Sequence, residues 1–209
     1  MNPVISRVLN NICCRGCPIY EGEGRERRME ARDKALKLNK EYVPEVVKVL
    51  FVGESPPWRL MCEEEPYSYF YASGPERPKS LAYYMSQVLF GEVLAKEEFF
   101  KRFMESGYYF VDMVKCPMYG LSSEERRKAA RHCAKYLDEE LRSLKPEAAI
   151  FMGKGTFKLV KGLLKLDLPH RVVSLPFGNV AVFKRELEEA LTAPSRASSS
   201  RCPSVPRRA

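Results

Sequence analysis

The sequence predicts a single α/β domain built on a central, mainly parallel sheet flanked by helices. Three observations carry this expectation. Apolar runs at residues 46–52, 108–114 and 148–152 have the length and composition of buried strands. Charged stretches with apolar residues at helical spacing lie between them. Strands and helices alternate along the chain, the order of an α/β sheet with helices on both faces.

The elements follow in chain order. Residues 3–12 carry Val4, Ile5, Val8, Leu9 and Ile12 at helical spacing, and the cysteine-rich turn Cys13-Cys14-Arg15-Gly16-Cys17 comes next. Residues 21–40 are strongly charged and read as a loop and an exposed helix. The first strand, 46–52, ends in Gly53-Glu54-Ser55-Pro56-Pro57-Trp58. Glycine there permits close approach of the backbone, and two prolines fix the loop's shape. Residues 63–78 form an acidic, aromatic loop, and 80–106 are helical with interruptions. The second strand runs into Cys116-Pro117. Ser122 and Glu125 have the spacing of a capping box. The helix behind it sets Ala130, Cys133, Leu137, Leu141 and Leu144 on one face, which turns Cys133 toward the core. After the third strand, residues 153–164 turn into a helix, 171–175 and 180–183 read as short strands, and 184–191 form a closing helix.

Residues 194–209 are rich in Ser, Pro, Ala and Arg and cannot build a core, so the domain is expected over 1–193 and a disordered basic tail over 194–209. The chain of 209 residues carries a net charge of +8, and four of its arginines lie in that tail. The excess left on the rest suits a phosphate-rich partner, and it equally suits a solvated basic surface. No apolar run approaches the length of a membrane helix. Seven cysteines without a secretory leader point to a reducing, cytoplasmic compartment, where thiols bind metals and do not pair.

Four of the cysteines have a telling distribution. Cys14 and Cys17 form a close pair, and Cys116 and Cys133 are distant single thiols on a strand end and a helix. Soft thiolates in such a set suit a [4Fe–4S] cluster or tetrahedral zinc; the plainer reading is four unrelated thiols. The Gly53–Pro57 loop sits where open α/β sheets bind ligands, at the carboxyl edge. Met152-Gly153-Lys154-Gly155-Thr156 lacks the upstream glycine of a phosphate loop. It is a strand-to-helix turn whose N–H groups, with Lys154, suit a DNA phosphate. Tyr67, Tyr69, Phe70 and Tyr71 cluster in a loop, and such rings either stack on bases or cover a core. His132 and His170 read as surface residues.

Together these pieces resemble the uracil-DNA glycosylase superfamily, most closely its iron–sulfur branch, from about residue 14 to residue 191. The motifs that carry the resemblance are Cys14-x-x-Cys17, Gly53-Glu54-Ser55-Pro56-Pro57, Val114-Lys115-Cys116-Pro117, Cys133 beyond it, and Phe151-Met152-Gly153. The resemblance implies a uracil-DNA glycosylase-like fold and a structural [4Fe–4S] cluster on Cys14, Cys17, Cys116 and Cys133, with Cys13 able to replace Cys14. It implies a monomer that binds DNA, flips out a damaged base and hydrolyses its N-glycosidic bond in base excision repair. Phe70 would stack on that base, with Tyr71 and Tyr69 as substitutes, and the 53–57 loop, Gly53 and Ser55 included, would hold it.

The sequence also departs from the family pattern. Where a His-Pro-Ser loop is expected, it reads Leu175-Pro176-Phe177-Gly178-Asn179. Leu175 or Phe177 could wedge into the base stack, and Asn179 could donate to the base. Asp112 stands where the family has an asparagine that reads uracil. Ionised, it only accepts hydrogen bonds or orients water; protonated, it mimics the amide; or it only caps local backbone. Ser55 stands in place of a water-activating aspartate, for which Glu54 partly compensates. Two alternatives stay open: a nucleic-acid-binding protein of this fold without glycosylase activity, and a zinc or cluster protein of unrelated, redox-sensing function.

Overall fold

The structure is a computed structural model, and it describes residues 9, 10, 12, 17, 19, 24–61 and 69–192. The expected tail at 194–209, the turn residues 13–16 and Tyr67 lie outside the described residues. In chain order, the elements are α1 (Arg25–Glu41), β1 (Val49–Gly53), a 3-10 turn (Trp58–Met61), α2 (Phe70–Ser73), α3 (Leu81–Phe90), α4 (Lys96–Glu105), β2 (Tyr108–Asp112), α5 (Ser123–Leu144), β3 (Ala148–Met152), α6 (Lys154–Lys161), β4 (His170–Val173) and α7 (Val180–Thr192).

The four strands form one sheet in the order β2-β1-β3-β4. Every pairing is parallel, with Gly53 opposite Asp112 and Val52 opposite both Val111 and Phe151. β1, β2 and β3 are buried on both faces after their first residue, the signature of a sheet covered by helices. A single α/β domain with a parallel sheet flanked by helices is therefore the fold, as the apolar runs predicted. The chain leaves β1 toward one side, to β2, and later crosses back to β3 and β4 on the other. That reversal opens a crevice at the carboxyl ends of the strands.

Local signals act as expected. Ser122 Oγ accepts from the Glu125 N–H (3.3 Å) and Glu125 Oε2 from the Ser122 N–H (2.8 Å), which completes the capping box of α5. The interruption in 80–106 is Gly91, at φ +77°, which ends α3 in the left-handed conformation that glycine adopts without strain. Ser86 Oγ then accepts from the Leu94 N–H at 3.0 Å, tying the connection to α3.

Two elements depart from the sequence reading. Phe70–Ser73, expected within the loop at 63–78, is the short helix α2. Residues 180–183, expected as a strand, are the first turn of α7. Val180, Val182 and Phe183 have the β-branched and aromatic character of a strand, but Phe183 and Leu187, one helical turn apart, are both fully buried. Helical spacing is thus what fills the core. The carbonyl of Asn179 accepts from Phe183 (3.1 Å) and its side chain from Val182 (3.1 Å), so this turn is capped from its start. Among the described residues no helix is long and apolar enough to cross a membrane.

Candidate functional site

A cleft of about 270 Å³ opens at the carboxyl ends of the strands. Each strand end contributes to it: Gly53 as the last residue of β1, Asp112 of β2 and Met152 of β3, with Leu175 beyond β4. The loop after β1 adds Glu54, Ser55 and Pro57, and the segment leading to α3 adds Tyr69, Phe70 and Leu81. Met113 and Val114 donate to the carbonyls of Gly53 (2.8 Å) and Glu54 (2.9 Å), so the two loops leave the sheet as one bonded unit.

Asp112 lies at the base of this cleft and is 4% exposed. Its Oδ2 is buried with no hydrogen-bond partner, the one such side-chain atom among the described residues. Burial pushes its carboxyl up to about 7, against the opposing pull of the Lys115 charge. The Lys115 ammonium is itself buried and spends its donors elsewhere, on Glu140 Oε1 and Oε2 (2.8 and 2.6 Å) and on the Asp112 carbonyl (2.7 Å). Tyr69, on the other side, donates its hydroxyl to Asn39 Oδ1. Near neutral pH Asp112 is therefore poised between a pure acceptor and a donor–acceptor pair.

Gly53 makes this close fit possible. A Cβ built there would lie 2.6 Å from Asp112 Oδ1 and 2.8 Å from the Phe110 ring. No side chain fits between the two strand ends, which is a stronger requirement than the backbone freedom read from the sequence.

The structure gathers most of the residues singled out in the sequence and separates three. Gly53, Glu54, Ser55, Phe70, Asp112, Leu175 and Phe177 all line the cleft. Glu54 Oε1 is held by Arg126 Nη2 at 2.7 Å, which fixes the carboxylate's orientation. Phe70 stacks on Phe110, ring centroids 4.6 Å apart at 22°. Phe177 is 71% exposed at the rim, and Leu175 beside it is also exposed. Tyr71, in contrast, is fully buried beneath the cleft, its hydroxyl accepting from the Phe110 N–H (2.8 Å) and donating to the Phe110 carbonyl (3.2 Å). Asn179 spends its side-chain oxygen on capping α7 and does not line the cleft. Lys154 is exposed at the start of α6, also outside the cleft wall.

Sequence reasoning missed Asn39, Phe110, Lys115, Glu140 and Arg126. Lys115 and Glu140 are 25 residues apart and look like ordinary charged residues in the chain. The one available signal is position: Glu140 lies one turn from Leu137 and Leu144 on the apolar face of α5.

A larger depression of about 600 Å³ lies at the opposite edge of the sheet, between the end of α5 and residues 163–168. Four of its five charged groups pair with one another, Arg142 with Asp138 (2.6 Å) and Lys165 with Asp167 (3.3 Å), which leaves Lys145 as the fifth. It borders the amino ends of the strands, where parallel sheets do not build their sites.

Cys17, Cys116 and Cys133 are buried, and Cys14 lies outside the described residues. Cys116 follows β2 by four residues and Cys133 sits on the inward face of α5, as the helical spacing predicted. Buried thiols are suitable donors for a soft centre. Among the described residues no three Cys, His, Asp or Glu side chains form a set that could hold a metal ion.

No curated protein matches the sequence. The family model of the uracil DNA glycosylase superfamily does, over residues 40–204. That span takes in every strand and every residue that lines the cleft. The chain therefore belongs to the uracil DNA glycosylase superfamily, with the DNA glycosylase-like role that membership carries.

Proposed function

We propose that the cleft receives a deaminated base, uracil or a close relative, turned out of DNA, and that the protein hydrolyses its N-glycosidic bond. The observation that carries this reading is the unpartnered, buried Oδ2 of Asp112 in a small, mostly apolar cleft. A buried acceptor without a partner is a costly feature unless a ligand supplies one. In its protonated form Asp112 offers one donor and one acceptor, the pattern of an amide, and so matches the O4 and N3–H edge of uracil. Phe70 and Phe110 give the base an aromatic wall. The apolar rim of Leu175 and Phe177 suits a wedge that fills the gap left in the base stack.

In the reaction, a water oxygen bonds to C1′ of the sugar while the C1′–N bond breaks and its electron pair leaves with the base. One water proton ends on the base and the hydroxyl stays on the sugar. Glu54, held by Arg126, orients that water. The backbone N–H groups of Glu54 and Ser55, ahead of the loop's two prolines, hold the departing base.

A [4Fe–4S] cluster on Cys14, Cys17, Cys116 and Cys133 belongs to the same proposal, and the burial of the last three supports it. When bound, it would supply a covalent tie between the N-terminal segment and the β2–α5 connection, with no part in the hydrolysis. Iron and sulfide analysis of the purified protein, with its visible absorption, tests this; a colourless, zinc-loaded protein would refute it.

A second reading has its own observation. Leu175-Pro176-Phe177 occupies the position of the family's His-Pro-Ser loop, and this favours a protein that binds damaged DNA without cutting it. Oligonucleotides containing uracil, hypoxanthine or xanthine separate the two. Glycosylase activity predicts abasic product from at least one of them, and less product from Asp112→Ala. Equal product from wild type and Asp112→Ala would remove Asp112 from the mechanism. No product from any oligonucleotide, with binding retained, would establish the second reading.

A further inference from the structure

Trp58 and Tyr119 are large aromatic side chains that the fold leaves in solvent, at 40% and 63% exposure. Their rings meet each other, centroids 5.2 Å apart at 31°. Trp58 belongs to the connection after β1 and Tyr119 to the connection after β2, the two connections that directly follow Gly53 and Asp112. Pro57, immediately before Trp58, lines the cleft.

This exposed pair is held in place. Arg28 reaches across from α1, and its guanidinium donates to the carbonyls of Pro117 and Tyr119, both at 2.8 Å. The turn that presents Tyr119 is thus clamped at two points. The Arg59 guanidinium lies over the Trp58 ring, 5.7 Å from its centroid. Two positive side chains therefore flank the aromatic pair, and a polyanion that brings its own flat rings is complementary in both shape and charge. An unpaired base laid on the outer face of Tyr119 would continue the Trp58–Tyr119 stack. Its phosphates would lie near Arg28 and Arg59. Bases inside a duplex already stack on one another and offer no free face.

We infer that Trp58 and Tyr119 form a stacking platform for an unpaired base of single-stranded DNA, beside the nucleotide that enters the cleft. This goes beyond the excision reading and rests only on its DNA-binding part.

The test uses an oligothymidylate with no damaged base, so its outcome is independent of glycosylase chemistry. Trp58 is the chain's one tryptophan, and its fluorescence therefore reports on the platform alone. Titration of the full chain at low salt should quench this emission in step with binding measured by anisotropy of a labelled oligonucleotide. Tyr119→Ala should weaken binding by a factor of about 5 to 150, the range for loss of one base–aromatic stack. Tyr119→Phe, which keeps the ring, should bind as the wild type does. Trp58→Ala, followed by anisotropy, should weaken binding in the same sense. The fully paired duplex should leave the emission nearly unchanged. The inference is overturned if Tyr119→Ala and Trp58→Ala, both folded by circular dichroism, bind the oligothymidylate as tightly as the wild type. It is equally overturned if duplex quenches as much as single strand, or if single-stranded DNA does not bind.

Discussion

Replacing Asp112 by asparagine should stabilise the protein, and increasingly so as the pH rises. Asp112 is almost fully buried, and its carboxyl is pushed from an ordinary 3.8 to about 7, first by burial. Between those two values the unfolded chain has released this proton and the folded chain still holds it. Stability therefore falls with rising pH across that window, and the loss reaches about 4 kcal/mol by pH 8. Asparagine has the same shape and no charge to bury, so it avoids this loss. The substitution leaves Lys115 compensated, because its ammonium is paired with Glu140 at 2.6 Å. Glu140, Glu54 and Tyr69, the other groups that act on Asp112, are present in both proteins, so their contributions largely cancel in the comparison. Urea unfolding of both proteins at pH 5 and pH 8 is the assay. The gap in favour of Asp112→Asn should open by about 2 to 3 kcal/mol between the two. A gap of constant size would mean that Asp112 ionises normally, and the donor–acceptor reading of its carboxyl would fall with it. A second arm uses activity. If the protonated form reads the base, wild-type excision of uracil declines as the pH rises through about 7, and Asp112→Asn shows no such decline.

Two further outcomes follow from the packing beneath the cleft. Gly53→Ala places a methyl group 2.6 Å from Asp112 Oδ1 and 2.8 Å from the Phe110 ring, and should destabilise the fold by about 1–3 kcal/mol in chemical denaturation while lowering excision. Glu140→Ala leaves the Lys115 charge buried without its carboxylate, and should cost about 3–5 kcal/mol; pairing it with Lys115→Met should recover much of that loss in thermal melts.

What was legible in the sequence was local. The strands expected at 108–114 and 148–152, found at Tyr108–Asp112 and Ala148–Met152, the capping box at Ser122 and Glu125, and the placement of Gly53 at a strand end follow from periodicity and from residues that bond near neighbours; that the second strand stops at Asp112 does not. Such signals are short-range, because a helix repeats every few residues and a buried strand is simply apolar throughout. Where they failed, the residue types were compatible with two conformations. Val180 to Phe183 suit a strand by composition, and only the core position of Phe183 and Leu187 selects the helix. Tyr71 and Phe70 are neighbours in one aromatic run, yet one is sealed under the sheet edge and the other faces the cleft.

The sequence by itself determined the α/β class, the carboxyl-edge position of the cleft and seven of the residues that line it. Tertiary structure alone decided what surrounds Asp112: Lys115 with Glu140 from α5, and Tyr69 with Asn39 from α1. It also decided that Trp58 and Tyr119 meet in solvent. Burial and long-range charge are sums over groups far apart in the chain, so a carboxyl's protonation and a ring's exposure acquire values only once the chain has packed.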